Sequence, residues 1–204
     1  RQPIVSNDEI SSAFDGITYA KGAAVIAMFE KFVGAEVFQR GVHDYLTRYA
    51  WGNATSEQFV QAIATAAGDA RVEPAFFSFL TQVGVPQIGL SWTCSQGQIR
   101  AQLTQRRYLP LGSTASADQR WQIPFCVSSG QRAADHCTLL SAPEQEWHFS
   151  EASCPDFLMP NAGGAGYYRF TLPDDQRQAL LSNLQNLSLA ESFVLIDNIS
   201  AAFR

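Results

Sequence analysis

Positive charge is scarce in this 204-residue chain, which carries 14 lysines and arginines against 19 aspartates and glutamates, a formal net charge of −5. Binding to the phosphate backbone of nucleic acids needs basic surfaces, so the composition excludes this class of partner. No run of about 18 apolar residues occurs either, and the sequence therefore predicts no membrane-spanning segment. Charged residues make up 16% and apolar residues 46%, which is typical of a globular chain.

Complete catalytic motifs are also missing. The three histidines, His43, His136 and His148, form no H-E-x-x-H, and no two of them have the helical spacing of zinc ligands. We therefore expect no zinc site built from this chain alone, and we interpret the histidines as packing or surface residues. No G-x-S-x-G nucleophile motif is present. The glycines of 163–166 precede a strand pattern without a following Gly-Lys-Ser/Thr, which favours a turn over a phosphate-binding loop.

Cysteine is absent from the first 93 residues, and the four that follow (Cys94, Cys126, Cys137 and Cys154) form no C-x-x-C pair. In a symmetric hairpin Cys126 and Cys137 would face each other with Cβ atoms about 4.5–5.5 Å apart, a little wider than a disulfide prefers. Cys94 and Cys154 would then be left to pair. The alternative is four buried free thiols. If both disulfides form, we expect a periplasmic or secreted protein.

The chain divides by pattern into an α-rich first part, a β-rich middle and a short helical tail. Apolar residues at helical spacing predict helices over 16–33, 36–49, 55–67 and 74–82, the third opened by a capping box of Thr55 and Gln58. Alternation predicts short strands over 87–94, 98–105, 121–128, 135–140, 146–149 and 167–171. The strands favour a small antiparallel β-sandwich. Two further helices are predicted over 173–184 and 189–203.

Neither end of the chain has the sequence expected at the end of a complete protein. It opens at Arg1 without an initiator methionine and closes inside an apolar helical pattern at residues 202–204. We therefore expect the chain to be cut from a longer protein.

One stretch near the start of the chain indicates a protein family as well as a fold class. Residues 14–23 read FDGITYAKGA, and residues 25–30 read VIAMFE. This segment resembles the F-D-x-I-x-Y-x-K-G-A pattern, followed by an apolar helix, of zinc aminopeptidases of the aminopeptidase N and puromycin-sensitive type. The resemblance continues in the order of the family through QVGVP at 82–86, QRRY at 105–108, WQIP at 121–124 and GYYR at 166–169.

The resemblance implies an α+β chain made of three pieces. Residues 1–83 would be the helical end of a thermolysin-like catalytic domain, 84–172 a small antiparallel β-sandwich, and 173–204 the beginning of a C-terminal helical domain. The zinc-binding H-E-x-x-H and the G-x-M-E-N loop of the family are absent from these residues. The resemblance therefore implies a zinc-dependent parent enzyme that removes N-terminal residues from peptides, and a fragment that binds no zinc and is inactive alone.

Tyr19 is the one functional residue of the family that maps onto this chain. In the mechanism that the resemblance implies, zinc-bound water attacks the scissile carbonyl and negative charge develops on its oxygen. A phenol remains a hydrogen-bond donor at neutral pH and can stabilise that charge. The same resemblance gives no catalytic role to Asp15 or Lys21, which capping and salt bridging explain equally well.

Two alternatives remain open at this stage. The chain could be a non-catalytic module of an inactive homologue, with the sandwich serving as a spacer or partner-binding surface. It could also be a lectin-like sandwich that presents Trp92, Trp121 and Trp147 to a ligand, although strand alternation favours core positions for them. On the aminopeptidase reading, an apolar face of the first four helices would be left exposed, and we expect the isolated chain to self-associate.

Overall fold

A computed structural model describes residues 16–130, 134–201 and 203. The chain divides into two compact units, Arg1–Val83 and Gly84–Arg204. The described part of the first unit, here called the helical unit, contains α1 (Gly16–Val33), α2 (Ala35–Arg48), α3 (Ser56–Ala67) and α4 (Val72–Leu80). The second, here called the sheet unit, contains strands and two helices. The predicted α+β class is confirmed.

The helix boundaries follow local sequence signals. Gly34 separates α1 from α2 with a φ of 90°, a conformation that costs glycine little. The predicted capping box is confirmed, because the Gln58 amide donates to Thr55 Oγ1 at 3.3 Å and the Thr55 amide donates to Gln58 Oε1 at 2.9 Å. Helix α4 begins at Val72, two residues before the prediction, since Pro74 still lies in the first turn where an amide proton is not needed.

Aromatic packing forms the core of the helical unit. The ring of Phe29 lies 4.4 Å from that of Phe76 and 6.3 Å from that of Phe79, centroid to centroid. Helices α2 and α3 approach closely at Gly41, where a Cβ atom would lie 2.8 Å from Cδ1 of Ile63. These contacts bury one side of α1, α2 and α3, while α4 is buried or half-buried along nearly its whole length.

The described residues of the sheet unit form six strands: β1 (Pro86–Ser95), β2 (Gln98–Arg107), β3 (Ile123–Val127), β4 (His136–Leu140), β5 (Glu144–Ser150) and β6 (Arg169–Thr171). Four form a sheet of order β5-β2-β1-β6, and β3 pairs with β4 in a separate two-stranded sheet. The prediction of purely antiparallel pairing is wrong at one edge, where β6 runs parallel to β1. Residue alternation reports which face a side chain occupies, not strand direction, and the long connection from β1 to β6 permits the parallel pairing.

Both predicted disulfides are present. Cys126 and Cys137 face each other across β3 and β4 with Cα atoms 4.1 Å apart, and Cys94 bonds to Cys154 with Cα atoms 5.7 Å apart. No cysteine of the four is free. The alternative of free thiols is therefore wrong.

Two helices, α5 (Asp174–Ser182) and α6 (Leu189–Ala201), complete the sheet unit. They share one apolar core with β6 and the segment before it; its buried members are Phe157, Met159, Phe170, Leu180, Leu187 and Leu195. The division of the chain at residue 173 remains a prediction. Among the described residues, no helix is both long and apolar enough to cross a membrane.

Candidate functional site

Tyr19 lies in the first turn of α1 with 62% of its surface exposed. Further along the same helix Val25 and Phe29 are fully buried, so α1 is held by its opposite side. The phenol is therefore exposed on a packed helix. Such an element holds a functional group more rigidly than a loop does.

The turn that carries Tyr19 has an additional anchor. Lys21 Nζ donates a hydrogen bond of 2.8 Å to the backbone oxygen of Gln82, which follows α4. Burial lowers the pKa of Lys21. This contact is consistent with the structural part expected for Lys21 from the sequence. Phe14 and Asp15, the other conspicuous residues of the element, lie outside the described residues.

The exposed face of α1 around Tyr19 is apolar. Ala20, Ala23 and Ala27 are exposed, and Ile26 is 38% exposed. These positions recur at the spacing of one helix face, which ends at the exposed Glu30. An apolar face on an otherwise packed helix is typical of a surface that contacts other protein.

The histidines do not build a metal site. His43 is exposed, His136 Nε2 lies 3.3 Å from Glu151 Oε1, and His148 Nε2 lies 2.5 Å from Glu146 Oε1. Within residues 16–130, 134–201 and 203, no group of three or more His, Cys, Asp or Glu side chains could hold a metal ion. The donor set of the described chain therefore does not fit zinc.

The tryptophans pack rather than forming a ligand platform. Trp121 is buried, with 2% of its surface exposed, and the Trp147 ring stacks 4.4 Å from that of Phe149. Trp92 is half-buried. Trp51, which no sequence motif singles out, follows α2, is fully exposed and has a φ of 61°. Nothing in the described residues covers its ring, and we assign it no role.

A buried carboxylate was also overlooked. Glu191, in the first turn of α6, is 4% exposed and accepts hydrogen bonds from Ser128 Oγ (2.7 Å), the Gly163 amide (3.1 Å) and the amide and hydroxyl of Ser188 (both 2.8 Å). Burial raises its pKa, but these bonds outweigh burial and hold the pKa below the ordinary value. The spacing of Ser188 and Glu191, a capping box, was the available signal. Every contact is structural, so Glu191 secures the start of α6.

Comparison with known proteins shows which family the chain resembles. Residues 1–79 match the model of the peptidase family M1 domain. The chain is 27% identical to the puromycin-sensitive aminopeptidase of Caenorhabditis elegans, covering 95% of this chain and 21% of that protein. It is 30% identical to the mitochondrial aminopeptidase 2 of Saccharomyces cerevisiae, covering 94% and 19%. The chain belongs to the M1 aminopeptidase family.

The fold agrees with this membership. The chain superposes on the crystal structure of Legionella pneumophila aminopeptidase A in complex with aspartic acid with a TM-score of 0.70 and 20% identity, covering 93% of this chain and 22% of that chain. At this identity the likeness concerns the fold alone. The chain spans about a fifth of the length of the M1 relatives it matches.

The comparisons also correct the predicted location. The expectation of a periplasmic or secreted M1 protein is wrong, because the relatives include an aminopeptidase named as mitochondrial. The two disulfides on which that expectation was based are nevertheless present. Whether two sulfur atoms lie within bonding distance is a matter of local geometry, and it does not identify the compartment.

Proposed function

We propose that this chain is part of a zinc-dependent aminopeptidase that hydrolyses N-terminal residues from peptides. The observation that carries the proposal is the match of residues 1–79 to the M1 domain, since these residues include the element around Tyr19. Relatives along nearly the whole chain are themselves named as aminopeptidases. The alternative, a non-catalytic spacer or partner-binding sandwich, is not favoured.

Within that enzyme, Tyr19 donates a hydrogen bond to the oxygen of the scissile carbonyl as negative charge develops on it. A donor fixed before the reaction stabilises such charge without reorganisation cost. The arrangement in the helical unit supports this role, because the phenol is exposed while α1 is held by buried Phe29 and by the bond from Lys21.

The zinc ion belongs to the whole enzyme and not to this chain. M1 aminopeptidases are zinc enzymes, whereas this sequence has no H-E-x-x-H and its described residues do not fit the metal. The isolated chain therefore binds no zinc and does not hydrolyse peptides. A test of this point is to assay the 204-residue chain with an aminoacyl anilide and zinc, where we expect no turnover above background.

The same proposal assigns the pieces of the chain. Residues 1–83 are the end of the thermolysin-like catalytic domain, 84–172 the sandwich, and 173–204 the start of the helical domain. The division of the chain into compact units between Val83 and Gly84 supports the first boundary. The exposed apolar face of α1 supports packing against the remainder of the catalytic domain, and self-association when that remainder is missing. Light scattering of the isolated chain should detect this association, and a strict monomer at high concentration would contradict it.

The decisive experiment is Tyr19→Phe in the full-length enzyme. We expect kcat to fall by about 10²–10³-fold, the usual effect of removing one oxyanion donor, with little change in zinc content. Tyr45→Phe is the matched control, because it deletes the same hydroxyl from a half-buried ring that packs 5.3 Å from Phe59. We expect nearly normal turnover from the control.

Two results would overturn the assignment. Near-normal kcat for Tyr19→Phe would show that Tyr19 does not stabilise the oxyanion. An equal loss for Tyr45→Phe would show that the effect arises from the folding of the helical unit rather than from the chemistry.

A further inference from the structure

Glycine interrupts the outward face of the four-stranded sheet at Gly89. This residue, in the middle of β1, lies directly opposite Thr104 of β2 and Thr171 of β6. Directly opposite residues share one face of a sheet. A glycine inside a strand weakens it and often marks a place where a ligand approaches closely. Here a depression of about 270 Å³, which we call the Gly89 cleft, lies over the three residues.

Two hydroxyl groups border the floor of the cleft. A Cβ atom at Gly89 would lie 2.5 Å from Thr104 Oγ1 and 3.6 Å from Thr171 Oγ1. Neither hydroxyl has a hydrogen-bond partner among the described residues. The Thr104 hydroxyl fills the place of the missing side chain, and both hydroxyls are available to a molecule that lies in the cleft above Gly89.

Opposite charges stand on the rim. Glu144 of β5 faces Thr104, and Arg106 is two residues beyond Thr104 on β2, so the two charged residues are diagonal neighbours. Diagonal neighbours have Cβ atoms about 7–8 Å apart, within reach of long side chains. Yet neither forms an ion pair within the described part of the chain. Arg106 Nε instead donates to Gln87 Oε1 at 2.8 Å, which holds the guanidinium towards β1.

A second diagonal pair of opposite charges on β2 and β5, Arg100 and Glu146, does form an ion pair and is called here the closed pair. Arg100 Nη2 lies 2.6 Å from Glu146 Oε2, and Gln102 donates to the same oxygen at 2.8 Å. The hydrogen bond from Arg100, followed by that from His148, lowers the pKa of Glu146 to about 2. Among the described residues, Arg100 and Glu146 therefore form an ion pair across β2 and β5, whereas Arg106 and Glu144 do not and line the Gly89 cleft.

A buried amide fixes the walls of the cleft. The side chain of Gln105, which is 4% exposed, donates to the backbone oxygens of Trp121 and Ala142, both at 3.0 Å, and accepts from the Trp121 amide at 3.0 Å. These bonds fix the segments that bring Arg120 and Pro143 to the rim. The cleft is therefore formed before any ligand enters, which lowers the cost of binding.

We propose that the Gly89 cleft binds a small zwitterion, a free α-amino acid. Its carboxylate contacts Arg106 and the hydroxyls of Thr104 and Thr171, because guanidinium and hydroxyl groups donate to carboxylates. Its ammonium group contacts Glu144, since a carboxylate is the charged acceptor on the opposite rim. The cleft is slightly smaller than the pockets of drug-sized ligands, about 300–1,000 Å³, so a small ligand suits its size. The proposal concerns this chain alone and does not depend on peptidase activity.

The test is an NMR titration of the isotope-labelled 204-residue chain with glycine, the smallest α-amino acid. We expect saturable shifts at the amides of Gly89, Thr104 and Thr171, with a dissociation constant in the millimolar range. Arg106→Gln and Glu144→Gln should each weaken binding by about fivefold or more, because each removes one charge-assisted contact. Acetate and methylammonium, which each carry one of the two charges, should bind more weakly than glycine by a similar factor.

Matched controls come from the closed pair. Arg100→Gln and Glu146→Gln make the same changes in net charge on the same strands, and we expect glycine affinity to be unchanged. Equal weakening by the control variants would contradict the proposal, as would the absence of saturable shifts. Acetate binding as tight as that of glycine, unaffected by Glu144→Gln, would show a plain anion site and would also overturn it. Circular dichroism of each variant establishes that the fold is retained.

Discussion

Helix α1 of the helical unit presents Tyr19 and Ile26 on an exposed apolar face, whereas the outward face of the four-stranded sheet is lined with polar side chains such as Gln102 and Thr104. The described helical unit is held by ring packing around Phe29. The sheet unit adds two disulfides and a buried carboxylate with four hydrogen bonds.

This difference indicates which unit is stabilised by its own contacts and which one leaves a surface for further protein. The sheet unit satisfies its buried charge internally at Glu191. The helical unit leaves apolar surface uncovered, which is the property of an element that packs against further protein.

The largest stability effect is expected on the buried side of α1. Phe29→Ala should lower the free energy of unfolding of the helical unit by about 3–5 kcal/mol, because it removes a fully buried ring and leaves a cavity. Ile26→Ala on the exposed side should cost less than about 1 kcal/mol in the 204-residue chain and clearly more in the full-length enzyme. Urea unfolding of both variants measures the difference, and equal costs for Ile26→Ala in both proteins would contradict a covered face.

Removal of each disulfide should affect the sheet unit. The Cys94–Cys154 bond closes 60 residues and the Cys126–Cys137 bond closes 11, so loop entropy predicts losses of about 4 and about 3 kcal/mol. Paired Cys→Ser variants, followed by hydrogen exchange, should show faster exchange in the sheet unit alone. Equal acceleration in the helical unit would show that the two units unfold together and would break the comparison.

A smaller effect is expected at Glu191. Glu191→Gln should cost about 1–3 kcal/mol, because its NH₂ group would oppose the Gly163 amide donor in one orientation of the side chain and the Ser188 amide donor in the other. The pKa of Glu191 is lowered in the folded state, so its contribution is present above the unfolded pKa of about 4.3 and is lost as pH falls through the folded pKa. Unfolding measured from pH 3 to 7 should show an acid-dependent loss in the wild type that is reduced in the variant.

The matched control for that prediction is Glu146→Gln. The pKa of Glu146 is also lowered, to about 2, but this carboxylate is exposed and screened by solvent. We expect a much smaller change in the pH dependence of unfolding. A larger effect at Glu146 than at Glu191 would contradict the importance of burial.

Much of the fold could be predicted from the sequence, because its signals are local. The capping box at Thr55 and the facing cysteines in β3 and β4 needed only spacing and alternation. The parallel pairing of β6, the burial of Glu191 and the cleft at Gly89 could not be predicted, since each depends on residues brought together from distant parts of the chain. Tyr19 became a candidate through family resemblance, because exposure and spacing alone do not distinguish it from other surface tyrosines.

The most direct test of the central claim compares two inhibitors of the full-length enzyme. A phosphinic peptide mimics the tetrahedral oxyanion of the transition state, while a non-hydrolysable substrate analogue mimics the ground state. If Tyr19 stabilises the oxyanion, Tyr19→Phe should weaken the phosphinic peptide by about 10²-fold and leave the substrate analogue nearly unchanged. Equal weakening of both inhibitors, or of neither, would contradict the account.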